Sequence, residues 1–142
     1  MSHTETALLR VRLGTDDTHY SDHLIPGATI VRLFADCATE IMLREDGTGG
    51  LLAGIESAAF HKAVRVGDYL EIVGKVIHRG TRSRKYSVEA RRTIERLEPT
   101  DPRRTARGLL SECVVHDPPE LVGEAILIAV VPRDHAAARG GV

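Results

Sequence analysis

The sequence predicts an α+β domain in which one long helix lies on one face of an antiparallel sheet. Three observations predict it. A single segment, Gly27 to Glu45, carries apolar residues at helical spacing, while the segments around it alternate or run apolar in short stretches broken by Gly, Pro and Asp. The chain has 142 residues, enough for one domain with a core of its own and too few for two. That core has to be aliphatic, because 42% of residues are apolar, only 4% are aromatic and none is Trp.

Each element has its own signal. In Ala7 to Leu13, Leu9, Val11 and Leu13 fall on one face and Arg10 and Arg12 on the other, as in a half-buried strand. Gly14 to Pro26 is a polar loop holding Asp16, Asp17, His19, Tyr20, Asp22 and His23, and loops held by rigid elements commonly carry function. In the helix, Ile30, Leu33, Phe34, Cys37, Ala38 and Ile41 recur at three- and four-residue steps. Pro26 suits its first turn and Gly47 its stop. Thr29, Arg32, Asp36 and Glu40 gather on its opposite face.

The rest reads as strands and turns. Leu51 to Val64 holds one strand, around Ala53 to Phe60; Val66-Gly67-Asp68 is a turn, and Tyr69 to His78 a second strand. Arg79 to Ser83 turns the chain into Arg84 to Ile94, with Tyr86, Val88, Ala90 and Ile94 on one face. Glu95 to Arg107, with two prolines and many charges, is expected to be loop. Leu109 to His116 and Glu124 to Val131 are two last strands, split by Asp117-Pro118-Pro119. Residues 1–132 then form a single domain, and residues 133–142, rich in Ala, Arg and Gly, a disordered tail.

Nineteen Lys and Arg against twenty Asp and Glu leave a formal charge of -1, which argues against nucleic acid or an anionic membrane as the main partner. Cys37 and Cys113 form neither a disulfide framework nor a C-x-x-C pair. Met1 to Thr6 carries no apolar leader, and no run approaches the roughly 18 apolar residues of a membrane span, so the expectation is a cytoplasmic protein. A single helix leaves the other sheet face and the sheet edges uncovered. A second copy of the chain is expected to cover them, as a homodimer or a trimer of dimers.

This element order, with Phe60 to Asp68 (F-H-K-A-V-R-V-G-D) and the Gly80-Thr81-Arg82-Ser83 turn, resembles the hotdog fold of acyl-CoA-processing proteins, a curled antiparallel sheet wrapped around one helix. Within that fold, His19-Tyr20, Gly27-Ala28, Leu33-Phe34-Ala35-Asp36-Cys37-Ala38-Thr39-Glu40, Glu56-Ser57 and Ser83-Arg84-Lys85 resemble the 3-aminoacyl-CoA ammonia-lyases, over roughly residues 8 to 94. The resemblance implies reversible loss of ammonia from a 3-aminoacyl-CoA to give the enoyl-CoA, with coenzyme A as the substrate's carrier and no separate cofactor. It implies catalytic roles for Tyr20, Asp36 and Glu40, and substrate contacts at His19, His23, Gly27, Ala28, Glu56, Arg82, Ser83 and Arg84. The chain departs from the family pattern in having His23 and Pro26 ahead of the helix and Ala59 where a carboxylate is common.

The residues themselves suit that chemistry. Four residues apart on a helix, Asp36 and Glu40 share a face with about 5–6 Å between their Cβ atoms. One carboxylate can take the α-proton of a thioester while its neighbour holds the departing amine; we assign Glu40 to the first role and Asp36 to the second. Backbone N–H groups at Gly27 and Ala28 can meet the thioester oxygen as enolate character develops. Arg79, Arg82, Arg84 and Lys85 could meet the phosphates of coenzyme A.

Arg32–Asp36 and Glu40–Arg44 also fit ordinary i,i+4 pairs of a solvated helix face. His19-x3-His23 does not lie on a helix, so its spacing does not bring both rings together, and no metal site is expected. Cys37 lies on the apolar stripe and reads as core. Three other functions fit the same fold: an acyl-CoA thioesterase, an enoyl-CoA hydratase, which His23 would favour, and a non-catalytic acyl-CoA-binding module.

Overall fold

The computed structural model describes residues 6–105 and 112–133, and among these are five strands, one α-helix and a short 3-10 helix at Thr15–Asp17. The strands and the α-helix run β1 (Thr6–Arg12), α1 (Gly27–Asp46), β2 (Leu51–Phe60), β3 (Tyr69–Arg79), β4 (Ser83–Leu97) and β5 (Glu112–Val130). The strands form one antiparallel sheet in the order β1-β3-β4-β5-β2, so β1 and β2 are its opposite edges. The expected tail lies outside the described residues except for Arg133. No helix among the described residues is long and apolar enough to cross a membrane.

The helix follows its apolar period. Ile30, Leu33, Phe34, Cys37, Ala38, Ile41 and Met42 are buried, and Gly47 ends the helix in the left-handed conformation (φ 73°), its N–H donating to the Leu43 carbonyl. The inward residues of three strands meet this face: Leu70 and Ile72 of β3, Tyr86, Val88 and Ala90 of β4, and Ala125, Leu127 and Ala129 of β5. Gly74 lets α1 come close to β3. A Cβ there would stand 2.9 Å from Cys37 Sγ. Burial pushes the Cys37 thiol up to about 12, aided by the charge of Glu40, and its Sγ lies 3.7 Å from the Ala7 and Ile72 carbonyls. The cysteine is core.

Two expectations along the chain are corrected. The last two strands are one, because Asp117-Pro118-Pro119 lies where the β4–β5 pairing jumps from Arg92–Glu120 to Ile94–Val115. Prolines in such a bulge remove no ladder hydrogen bond, so the strand continues through them, with a cis Asp117–Pro118 bond. For the same reason residues 95–97 are strand rather than loop, since they pair with residues 112–114 of β5.

Candidate functional site

The polar loop before α1 is fastened at several points. Ile25 N–H donates to the Val64 carbonyl at 2.8 Å and Val66 N–H to the His23 carbonyl at 2.9 Å. The Thr29 hydroxyl donates to the Asp17 carbonyl at 2.9 Å, and the Thr18 hydroxyl to that of Leu24. His23 holds this path at φ 64°, the left-handed region that a non-glycine residue seldom occupies. His19 and Tyr20 are exposed beyond it, their ring centroids 4.6 Å apart.

Asp36 and Glu40 share a flank of α1, as their spacing requires. Arg32 stands between two carboxylates, 3.3 Å from Asp17 and 3.2 Å from Asp36. Glu40 faces Arg44 at 3.8 Å. The Asp36 side chain is 54% exposed and that of Glu40 33%. Both open on grooves beside edge strand β1. Asp36 lines one of about 370 Å³ with Leu9 and Val11, and Glu40 one of about 450 Å³ with Leu8, Glu71 and Val73. Tyr20 is exposed, and its ring contact is with His19.

The start of α1 opens elsewhere. Pro26 caps the helix with no side-chain hydrogen bond, and the first turn has no acidic residue. The N–H groups of Gly27 and Ala28 therefore carry the positive end of the helix dipole unopposed by a side chain. Beside Gly27 lies an apolar cleft of about 320 Å³, walled by Ile25, Ile30, Phe60, Val64 and Val122. The Phe60 ring comes so close that a Cβ on Gly27 would lie 3.3 Å from it. This cleft is on the β2–β5 side of the helix, whereas the carboxylates are on the β1 side. Within one chain, the two halves of the expected site do not meet.

The remaining expected contacts sit near the helix C-terminus or along β2. Arg84 makes a two-pronged ion pair with Asp46 at 2.9 and 3.1 Å and also donates to the Gly80 and Ser83 carbonyls. Arg79 pairs with Glu45 at 2.7 Å, and Lys85 with Glu56 at 2.7 Å. Arg82 Nε donates to the Val131 carbonyl at 3.1 Å, and the Ser83 carbonyl accepts from Gly80 N–H at 2.9 Å. This basic turn is thus knitted to the acidic end of α1.

Three features escaped the sequence reading. Arg92, 5% exposed, binds Asp68 at 3.1 Å, the Ala63 carbonyl at 2.9 Å and Glu120 at 3.2 Å. Its position two residues beyond Ala90 was the available signal, since strict alternation points it inward. Tyr86 is fully buried, and its hydroxyl has no partner among the described residues. Burial raises its pKa well above the usual phenol range. Glu95, His116 and Glu120 bring ligand atoms within 4.8 Å of one another. Arg103 (2.8 Å to Glu95) and Lys62 (2.8 Å to Glu120) already neutralise them beside Arg92, so a further cation is not favoured there.

Comparison with known proteins agrees on one family. Residues 24–98 match the thioesterase superfamily. The chain is 35% identical over 129 residues to a 3-aminobutyryl-CoA ammonia lyase of Acetoanaerobium sticklandii, covering 90% of this chain and 95% of that protein. Its structure resembles the β-alanyl-CoA:ammonia lyase of Clostridium propionicum with a TM-score of 0.79 and 28% identity, over 92% of this chain and 87% of that one. An acyl-CoA hydrolase of Staphylococcus aureus, in complex with butyryl coenzyme A and coenzyme A, shares the fold with a TM-score of 0.66 at 20% identity, over 93% of this chain and 66% of that one.

Proposed function

Because this chain belongs to the thioesterase superfamily and, within it, to the 3-aminoacyl-CoA ammonia-lyases, we propose that it removes ammonia reversibly from a short 3-aminoacyl-CoA, using Asp36 and Glu40 as its acid–base pair. The observation that carries this reading is the likeness to an ammonia lyase along nearly the whole chain, at 35% identity. The uncapped start of α1 beside an apolar cleft supports it. There the amides of Gly27 and Ala28 meet the thioester oxygen as negative charge develops on it. Glu40 takes the α-proton, the electron pair forms the Cα–Cβ double bond, and the Cβ–N bond breaks as the substrate's ammonium leaves as ammonia. Asp36 holds that ammonium, with Arg32 and Asp17 fixing the carboxylate in place.

The site is completed by a second copy of the chain. Along β2, Leu51 (65% exposed), Leu52 (52%), Ile55 (46%) and Phe60 (49%) present an apolar edge strand with one row of backbone groups unpaired. A copy covering this edge removes that liability. The carboxylates, which lie on the β1 flank, meet a cleft only through a further contact between copies.

The test is direct. Pure protein is given β-alanyl-CoA, 3-aminobutyryl-CoA, or crotonyl-CoA with ammonium, and enoyl thioester absorbance is followed. No change with any of them, from protein that binds coenzyme A, removes the lyase reading, and release of free thiol replaces it with a thioesterase. Mixing inactive Asp36→Ala/Glu40→Ala protein with inactive, cleft-filling Gly27→Leu protein tests the shared site. Activity recovers if the two halves come from different copies.

A further inference from the structure

The seam between α1 and the β5–β2 half of the sheet holds two separate spaces. One is the cleft at the helix start. The other is a pocket of about 30 Å³ further along the same seam, between Ala35, Thr39 and Met42 of α1 and Leu52, Leu127 and Ala129 of the strands. It has room for one small group. Tyr86 forms part of its wall, fully buried and with a hydroxyl that has no partner among the described residues. A buried hydroxyl without a partner is costly, so this end of the seam is poorly adapted as plain core.

On the buried stripe of α1, Phe34 stands between Ile30, which lines the cleft, and Ala38, which lines the pocket. Phe34, fully buried, approaches Gly123 from the helix side, and Phe60 approaches it from the strand side. From the position a Cβ would take on Gly123, Phe34 Cζ is 3.7 Å away and Phe60 Cδ1 3.6 Å. Between the aromatic pair and the Met42, Leu52 and Leu127 side chains of the pocket, the elements carry small residues, with Ala35 and Ala38 on α1 and Ala58 paired to Ala125 on the strands. The aromatic pair, and not the seam as a whole, therefore limits how far a chain can extend from the cleft.

We propose that Phe34 is the stop that restricts the substrate to short acyl groups, and that the Tyr86 pocket is the space a longer acyl tail reaches once this stop is removed. The inference rests on the reading that the cleft takes the acyl end of a coenzyme A thioester. An aliphatic tail entering at Gly27 runs toward β5 and meets the Phe34 ring. Shortening that side chain joins cleft and pocket into one apolar channel, in which each further buried methylene strengthens binding.

Butyryl-, hexanoyl- and octanoyl-CoA are titrated calorimetrically into the wild-type protein and into Phe34→Leu, which keeps the position apolar and leaves a smaller void than Ala. Circular dichroism and a thermal melt establish that the variant is folded. The wild type should favour butyryl-CoA over octanoyl-CoA, and Phe34→Leu should shift that ratio toward octanoyl-CoA by at least about tenfold. Adding Tyr86→Phe makes the far wall wholly apolar and should raise octanoyl-CoA affinity again. A folded Phe34→Leu protein with an unmoved ratio overturns the proposal, as does a wild type that binds octanoyl-CoA as well as butyryl-CoA. If the double variant gains nothing, the tail does not pass through the Tyr86 pocket. Turnover of 3-aminobutyryl-CoA by the same wild-type preparation separates the two ideas. With turnover and an unmoved ratio only the stop falls, whereas with neither binding nor turnover both fall.

Discussion

Two sets of charges in this protein differ in almost every physical respect. Asp36 and Glu40 stand on a helix flank at 54% and 33% side-chain exposure, each facing an arginine four residues away in the chain. Asp68 and Arg92 are 1% and 5% exposed and far apart in sequence, and they bind each other at 3.1 Å. Asp68 also accepts from the backbone N–H groups of Arg65 and Arg96, at 3.0 and 2.8 Å. Exposed i,i+4 pairs contribute about 0–1 kcal/mol to stability. Losing one member of a buried pair costs about 3–5 kcal/mol, because it leaves a charge uncompensated. The first pair is therefore dispensable for folding and available for chemistry, while the second holds the wall of the cleft.

The sharpest way to break this contrast is to remove each set and measure both stability and rate. Asp36→Asn and Glu40→Gln should each reduce turnover about 10²–10⁴-fold, the usual worth of a positioned acid or base, while shifting urea unfolding by no more than about 1 kcal/mol. Equal losses in stability and rate would mean the pair is structural. Arg92→Met should do the reverse, destabilising by about 3–5 kcal/mol in urea melts, with kcat per folded molecule close to wild type. Removing Asp68 as well should not rescue it, because the Arg65 and Arg96 amides would then lose their acceptor.

How much of this was legible in the sequence follows from how local each feature is. The helix and the Asp36–Glu40 register depend on spacing within a few residues, and both emerge from the pattern alone. The groove each carboxylate opens on depends on β1 being an edge strand, which only the pairing establishes. The Asp68–Arg92 pair joins a turn residue to a strand 24 positions on. A prediction that Arg residues face solvent hides it, although the alternation of Tyr86, Val88 and Ala90 already pointed inward. The Pro118–Pro119 break misled for a related reason. Proline interrupts a strand only where its N–H is needed, and the bulge opposite Thr93 does not need it.

Acid should probe the surroundings of the buried pair more gently. The Arg103 hydrogen bond, helped by His116 against the cost of burial, lowers Glu95 from 4.5 to about 2. Burial opposes the shift at Glu120, but Lys62 and Arg92 hold it below the usual carboxylate range. A carboxylate with a depressed folded pKa stabilises fully above its unfolded pKa and loses that contribution as pH falls through the folded one. Stability should therefore decline from about pH 4.5 toward pH 2. Urea melts at several pH values should show Glu95→Gln flattening that decline. An undiminished decline in Glu95→Gln would place the acid-sensitive centre elsewhere.

The smallest effect concerns the loop that joins the two regions. His23 sits at φ 64° while its carbonyl accepts from Val66 N–H, so its backbone strain is tied to the segment leading to Asp68. Histidine tolerates the left-handed region better than most residues, and a β-branched residue tolerates it least. His23→Val should destabilise by about 1–2 kcal/mol. His23→Gly should stay within about 0.5 kcal/mol of wild type, because relief of strain is offset by the greater freedom of glycine in the unfolded chain. The kinetics then show whether the imidazole has a role of its own. If His23→Gly is as stable as wild type and as fast, the residue serves the backbone path alone. If it keeps its stability but its KM for the aminoacyl thioester rises, the ring touches substrate, and the loop belongs with Asp36 and Glu40 rather than with the buried pair.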